Sequence, residues 1–189
     1  KLVLLVHGWD SNAGSMSAIA NTLAREGYRV VTLDLPAHGH SKLTHTNLRE
    51  CREALCALIY QLRPSAPFSV VTHSFGSAVA TMALSGTRYT VDNFILLTSP
   101  NRLIDVFDEF KTQVALGEQA YQEVLQQGYA LLKEPVENVQ VETKALKMNY
   151  NKIVIIHDAH DKVLPYSNAV RLNEVLPNTQ LITLKKTGH

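Results

Sequence analysis

The sequence has little of what marks several large classes of protein. Only two of its 189 residues are cysteine and its formal net charge is +1. A balance this close to neutral argues against a nucleic-acid-binding protein, which needs a basic surface. No apolar run approaches the roughly 20 residues that a membrane-spanning helix needs, so we predict no membrane span. The 46% share of hydrophobic residues is enough for the core of one domain.

The two cysteines, Cys51 and Cys56, fall within one predicted helix. At 3.6 residues per turn, this spacing puts them about 140° apart around the helix axis, so they cannot bridge each other. Unpaired cysteines are typical of a reducing compartment, and we therefore predict a cytoplasmic protein.

Apolar runs and helical patterns alternate along most of the chain. Continuous runs of apolar and β-branched residues predict buried strands, and apolar residues at helical spacing predict the helices between them. The predicted strands cover residues 2–6, 28–35, 68–72, 93–98, 153–156 and 180–184, and the predicted helices cover 15–26, 47–62, 76–84 and 167–176. This alternation predicts an α/β fold with a mostly parallel sheet flanked by helices.

The alternation stops between residues 101 and 149. This stretch shows only helical patterns, broken at Gly117 and Gly128, and it is longer than an ordinary crossover connection. We predict a helical lid at residues 101–149, inserted into a core made of residues 1–100 and 150–189. The alternative is an enlarged crossover that covers nothing. Arg102 is the only arginine in the stretch, which favours an uncharged substrate.

One serine stands between a predicted strand and a predicted helix. Ser74 follows the run 68–72, and Gly76 is small enough to let the strand and the helix approach each other. Such a junction projects a serine hydroxyl beyond the carboxyl edge of a sheet. From this stretch alone, a nucleophile and a simple helix N-cap stay equally open.

Other polar residues follow the remaining predicted strands. Open α/β sheets bind ligands at the carboxyl ends of their strands. The polar residues at these ends are His7, Asp34, Ser74, Ser99, His157, Asp158, His160, Asp161 and His189. A serine, then an aspartate after a later strand, then a histidine after the last strand is the order of the catalytic residues in α/β-hydrolases.

The chain resembles an α/β-hydrolase of the lid-bearing esterase, lipase and C–C hydrolase type. The resemblance covers nearly the whole chain and rests on His7-Gly8-Trp9, residues 34–41 (DLPAHGHS), His73-Ser74-Phe75-Gly76, residues 161–165 (DKVLP) and Gly188-His189. Two positions depart from the family pattern, since Thr72 and Asp158 stand where the family usually has glycine. By comparison with the family, one or two strands would precede Leu2 and a helix would follow His189, so we expect a stretch of a longer protein.

The resemblance implies a catalytic triad. Ser74 would be the nucleophile, His189 the general base, and Asp161 the acid that orients the base. Two acids stay open at this point, Asp161 and Asp158. We favour Asp161, because its spacing to Leu164-Pro165 matches the family pattern.

The resemblance also implies the rest of the site and its reaction. The backbone N–H groups of Trp9 and Phe75 would form the oxyanion hole. No cofactor or metal is implied, because His7, His157 and His160 lack the spacing of metal ligands. We predict hydrolysis of carboxylic esters with small or medium apolar acyl groups through an acyl-enzyme, with a small-molecule ester as the substrate. The alternatives are a C–C bond hydrolase or thioesterase of the same fold, or a ligand-binding receptor on that scaffold.

Overall fold

The backbone forms one sheet of six strands, all parallel to their neighbours. A computed structural model describes residues 1–189. The strands are β1 (Leu2–Val6), β2 (Arg29–Thr32), β3 (Phe68–His73), β4 (Thr90–Leu97), β5 (Asn149–Asp158) and β6 (Thr179–Leu184). Their order across the sheet is β2-β1-β3-β4-β5-β6. The predicted parallel sheet is confirmed.

Helices lie between the strands. They are α1 (Ser17–Arg25), α2 (Leu48–Leu62), α3 (Phe75–Leu84), α4 (Leu103–Gln113), α5 (Glu118–Leu132), α6 (Val141–Ala145) and α7 (Ser167–Val175). Local chemistry sets their ends. At the start of α2, for example, the side chain of Asn47 accepts a hydrogen bond from the Glu50 N–H at 3.0 Å.

Side chains that alternate along β1 divide the core into two layers. Leu4 and Val6 belong to a large cluster that includes residues of α2, α3, α6 and α7. Val3 and Leu5 belong to a smaller cluster with Met16, packed against α1. Because successive strand residues point to opposite faces of a sheet, helices cover both faces of this one. The fold is the predicted α/β arrangement.

Three strands differ from their predictions by three residues or more at one end. β4 begins at Thr90 rather than at residue 93. β5 begins at Asn149 rather than at residue 153, because its polar first half pairs with β4, where Thr90 lies opposite Asn149. Backbone pairing needs no apolar side chain, so hydropathy missed this half. β2 ends at Thr32 rather than at residue 35, and the following residues leave the edge of the sheet so that the Asp34 carboxylate meets the Ala13 N–H at 2.7 Å.

A helical excursion, residues 102–140, separates β4 from β5. Its two ends meet in an antiparallel bridge between Arg102 and Gln140. The Tyr121 hydroxyl on α5 donates to the Asp108 carboxylate on α4, which joins the two helices. From Val141 onward the chain packs into the main core. A lid over residues 101–149 stays a prediction.

Two expectations drawn from composition concern the cysteines and membrane helices. Cys51 and Cys56 both lie on α2 and both are free thiols. No helix in the structure combines the length and the apolar character that crossing a membrane requires. The cytoplasmic location stays a prediction.

Replacing Gly76 with alanine should disrupt the junction between α3 and β1. A Cβ atom at this position would lie 2.5 Å from the backbone oxygens of both Val6 and His7, which belong to the buried strand end and cannot swing aside. We expect Gly76→Ala to lower the free energy of unfolding by about 3 kcal/mol or more in urea titrations.

Gly117→Ala is the matched control, because an added Cβ there has no heavy atom within 4 Å. It should change the same free energy by about 1 kcal/mol or less. Equal effects of the two substitutions would show that the contact at Gly76 is not tight.

Candidate active site

Ser74 occupies a strained turn between β3 and α3. Its backbone has φ 49° and ψ −123°, a region that side-chain-bearing residues rarely adopt. The surrounding structure holds this conformation, since the Ser74 N–H donates to the Leu97 carbonyl of β4 at 2.9 Å. The side chain makes no cap hydrogen bond to α3. The N-cap interpretation that the sequence left open is therefore wrong, and the hydroxyl is free for another partner.

Thr72, the first of the two departures from the family pattern, is held by hydrogen bonds. The Thr72 side chain is buried, its hydroxyl lies 2.8 Å from the Ser77 hydroxyl, and it donates to the Ile95 carbonyl at 3.1 Å. Threonine thus ties the last part of β3 to α3 and β4 where the family usually has glycine. The sequence pattern did not predict these hydrogen bonds, because they depend on which polar groups β3, α3 and β4 bring together when they pack.

Three predicted residues lie together at the carboxyl edge of the sheet. The Ser74 Oγ lies 3.0 Å from the His189 Nε2, and the His189 Nδ1 lies 2.9 Å from the Asp161 Oδ2. The network fits an imidazole whose Nδ1–H donates to the carboxylate and whose Nε2 accepts the serine proton. This is the arrangement that a serine nucleophile, its base and an orienting acid require.

The carboxylate of Asp161 is enclosed by donors. Its side chain is fully buried, whereas that of His189 is 22% exposed. Burial raises the pKa of the Asp161 carboxyl, but hydrogen bonds from the Leu164 N–H, the His189 ring and the Val163 N–H outweigh burial and hold the pKa below its ordinary value. Asp161 therefore stays negatively charged at neutral pH beside the imidazole.

Asp158, the alternative acid, faces other partners. Its carboxylate accepts hydrogen bonds from the N–H groups of His160, Thr187 and Gly188 and from the Thr187 hydroxyl. The backbone N–H of His160, followed by the Thr187 hydroxyl, lowers the pKa of Asp158 far below its ordinary value. It makes no hydrogen bond to the His189 ring, which leaves Asp161 in the orienting position.

The segments that carry the predicted oxyanion donors, Trp9 and Phe75, both come near the serine turn. Phe75 is the first residue of α3, where an N–H has no acceptor within the helix. The turn at Gly8 passes close to the nucleophile, since a Cβ on Gly8 would lie 3.2 Å from the Ser74 Cβ. Trp9 follows this turn, and its ring packs edge-on against the Phe75 ring at 5.2 Å. Gly8 and Phe75 thus both adjoin Ser74, and an oxyanion hole formed by the Trp9 and Phe75 N–H groups stays a prediction.

Two further histidines, His7 and His73, lie near the serine. Burial lowers the pKa of His7, whose Nε2 accepts the Leu35 N–H at 3.0 Å while its Nδ1 lies 2.8 Å from the Gly8 carbonyl. Burial, then the neighbouring His189, lowers the pKa of His73. The structure has no group of three or more histidine, cysteine or acidic side chains that could hold a metal ion.

One surface cavity lies away from Ser74. It has a volume of about 620 Å³ and lies near the amino ends of β3 and β4, lined by Tyr60, Arg63, Pro64, Ser65, Ala66, Pro67, Arg88, Tyr89 and Thr90. None of these lining residues belongs to the candidate site.

Comparison with known proteins decides the family. The sequence model described as "Alpha/beta hydrolase family" matches residues 3–189. The chain belongs to the alpha/beta hydrolase family. This assignment confirms the family that the motifs of the sequence resemble.

Curated hydrolase relatives match part of the chain. It is 31% identical over 132 residues to "Serine hydrolase-like protein" of Homo sapiens, a match that covers 66% of this chain and 62% of the relative. It is 30% identical over 103 residues to "Serine hydrolase-like protein DDB_G0286239" of Dictyostelium discoideum, covering 50% of this chain and 27% of that protein. The chain thus spans less than two thirds of the length of these relatives.

Solved structures share the fold over the whole chain. Est1E of Butyrivibrio proteoclasticus, solved with ferulic acid bound, matches with a TM-score of 0.77 and 17% identity, covering 100% of this chain and 80% of that one. A bromoperoxidase from Bacillus anthracis matches with a TM-score of 0.75 and 18% identity, covering 100% of this chain and 85% of that one. Because a shared fold does not establish a shared activity, the chemistry of this chain depends on its own site.

Acid should weaken the loop that follows β2. Hydrogen bonds from the backbone N–H groups of Ala13 and His40 lower the pKa of Asp34. A carboxyl whose pKa is lower in the folded than in the unfolded protein stabilises the fold at a pH above its unfolded-state pKa, which is about 3.9 for aspartate. This stabilisation is lost as the pH falls below that pKa towards the folded-state pKa. We expect Asp34→Asn to be less stable than the wild type at pH 6 in urea titrations, and the difference to narrow between about pH 4 and pH 2.

The exposed carboxylate of Asp10 provides the control. Asp10→Asn should keep the acid dependence of the wild type. A difference in the free energy of unfolding between the wild type and Asp34→Asn that stays constant from pH 6 to pH 2 would contradict the role assigned to Asp34.

Proposed function

We propose that this protein is a serine hydrolase that cleaves carboxylic esters through an acyl-enzyme. The observation that carries the proposal is the continuous hydrogen-bonded chain from Asp161 through His189 to the Ser74 hydroxyl. A serine hydroxyl is a weak nucleophile at neutral pH and needs a base within hydrogen-bond reach. His189 meets this requirement.

The proposed reaction has two stages. In the first, Ser74 Oγ attacks the ester carbonyl carbon while its proton passes to His189 Nε2, and His189 then gives that proton to the departing alcohol oxygen as the C–O bond breaks. In the second, His189 removes a proton from water, which attacks the acyl group on Ser74. The tetrahedral intermediate then collapses: the bond between the acyl carbon and Ser74 Oγ breaks, His189 returns its proton to Oγ, and the carboxylic acid leaves. Asp161 orients the ring and stabilises the imidazolium throughout.

Backbone donors would stabilise the charge that develops on the carbonyl oxygen. The Phe75 N–H lies at the amino end of α3, where the helix dipole also favours negative charge. The Trp9 N–H follows the close approach of Gly8 to Ser74. Losing one such donor typically lowers turnover by a factor on the order of 10²–10³.

Aromatic side chains at the rim of the site, the carboxyl edge of the sheet around Ser74, support a substrate with an apolar acyl group. The Trp9 side chain packs edge-on against Phe75, yet Trp9 is 56% exposed. An acyl chain lying against these rings would remove apolar surface from water, at about 25 cal/mol per Å². We therefore propose small or medium apolar acyl esters.

The excursion of α4 and α5 is proposed as a lid over this rim. α4 follows the carboxyl end of β4, the edge of the sheet at which Ser74 lies. Two exposed apolar side chains of α4, Val106 and Phe110, and that of Val114 directly after its end recur at every fourth residue and so share one face. Such a face could cover a bound acyl chain and exclude water.

Ser74→Ala should abolish hydrolysis. We expect kcat/KM for nitrophenyl esters of short to medium acyl chains to fall by a factor of about 10⁴ or more, because the nucleophile is removed. Labelling by a fluorophosphonate should be lost as well. Ser65→Ala, in the exposed loop between α2 and β3, is the control and should retain both. Wild-type labelling without turnover would favour the receptor alternative.

Asp161→Asn should show which of the two candidate residues, Asp161 or Asp158, is the acid that orients His189. An asparagine cannot hold the His189 ring in the tautomer that accepts the serine proton, so we expect kcat to fall by a factor on the order of 10³–10⁴. Steady-state kinetics with one nitrophenyl ester would measure this loss. A loss of this size in Asp158→Asn, with Asp161→Asn near wild type, would reverse the assignment of the acid.

A further inference from the structure

Asp158 is a buried carboxylate near the site, and one of its oxygens accepts hydrogen bonds from the segment that leads to His189. The Asp158 side chain is 1% exposed. Its Oδ2 accepts the Thr187 N–H, the Thr187 hydroxyl at 2.7 Å and the Gly188 N–H at 3.0 Å. Its Oδ1 accepts the His160 N–H at 2.7 Å. All four donors meet one carboxylate, and three of them belong to Thr187 and Gly188, the two residues before His189.

The segment from β6 to His189 has few other attachments. Residues 185–189 are all exposed, so no buried side chain anchors them. The backbone turns at Lys186 and Gly188, which have φ of 63° and 78°. Successive N–H groups next to such left-handed residues form a concave site for an anion, and the Asp158 carboxylate occupies this one. The carboxylate thus fixes the segment that carries the imidazole.

Asp158 also contacts the turn that carries the acid. Its backbone carbonyl accepts the Asp161 N–H at 3.2 Å. One residue therefore connects the turn of Asp161 with the segment of His189, and these two side chains must stay within hydrogen-bond distance of each other. Misplacing a catalytic group by about 1 Å can lower a rate by about 10²-fold.

We propose that Asp158 is a positioning residue that clamps the His189 segment and so aims the imidazole at Ser74. The inference rests on the proposed function in that the imidazole it positions is the general base. It assigns Asp158 a role distinct from that of the acid, because the residue touches neither Ser74 nor the His189 ring.

Asp158→Asn tests the clamp through kinetics. In asparagine, an NH₂ group replaces one of the two carboxylate oxygens. The backbone N–H groups that now donate to that oxygen would face another donor, so their hydrogen bonds must break. We expect kcat for a short nitrophenyl ester to fall by about 10- to 100-fold while KM stays within about threefold. A kcat within twofold of the wild type would overturn the proposal, and so would a loss as large as that of Asp161→Asn.

A pair of Thr187 variants guards against loss of folding. Thr187→Val removes the hydroxyl donor to Asp158, and Thr187→Ser keeps it. We expect kcat to fall several-fold in Thr187→Val and to be restored in Thr187→Ser, with far-ultraviolet circular dichroism showing that both are folded. Equal kcat in the two variants would contradict the clamp, whatever the folding of Asp158→Asn.

A spectroscopic measurement is independent of turnover. The proton between His189 Nδ1 and Asp161 should give a low-field proton resonance in the wild type, and opening of the clamp should broaden it or remove it in Thr187→Val but not in Thr187→Ser. An unchanged resonance in both variants would overturn the proposal. If the wild type hydrolyses no ester, the proposed function fails, while this resonance still tests the role of Asp158.

Discussion

Parallel pairing of the strands from β3 to β6 is the constraint on which the candidate site depends. At the carboxyl edge, the Ser74 N–H donates to Leu97, the Thr98 N–H to Ile156, and the Ala159 N–H to the last residue of β6. These bonds continue the ladder of the sheet beyond its strands. They fix the serine turn, the turn that holds the acid and the start of the histidine segment relative to one another. Residues far apart in sequence therefore meet within hydrogen-bond distance.

Strain at Ser74 is tolerated because its neighbours leave no other conformation. The positive φ of the serine costs on the order of 1–3 kcal/mol. Glycine on both sides of the turn permits the close approach of backbone that compensates for this cost, with Gly76 against the end of β1 and Gly8 against Ser74 itself. Thr72 adds a buried hydroxyl pair with Ser77. A rigid turn of this kind presents the hydroxyl at a fixed position before any substrate binds.

The sequence predicted the fold well because buried parallel strands are continuous apolar runs, which hydropathy detects. It did not predict the first half of β5, since Asn149 and its polar neighbours are placed by pairing with β4. For the site, the order of Ser74, Asp161 and His189 along the chain selected three groups that the structure brings together. Their catalytic roles stay a prediction.

The contribution of Asp158 was visible in the sequence only as a departure from the family pattern. Spacing could not reveal which N–H groups its carboxylate meets, because Thr187 and Gly188 come into reach only once β5 and β6 pair. The Thr72 to Ser77 contact was hidden for a similar reason. Long-range hydrogen bonds between polar side chains leave no periodic signal, whereas strands and helices do.

Rapid-quench mass spectrometry of the protein mixed with a short nitrophenyl ester would test the central claim most directly. The account predicts an acyl group covalently attached to the peptide that contains Ser74, formed as fast as the first equivalent of nitrophenol appears and then lost by hydrolysis. Nitrophenol released with Ser74 unmodified, or an acyl group found on another residue, would contradict it.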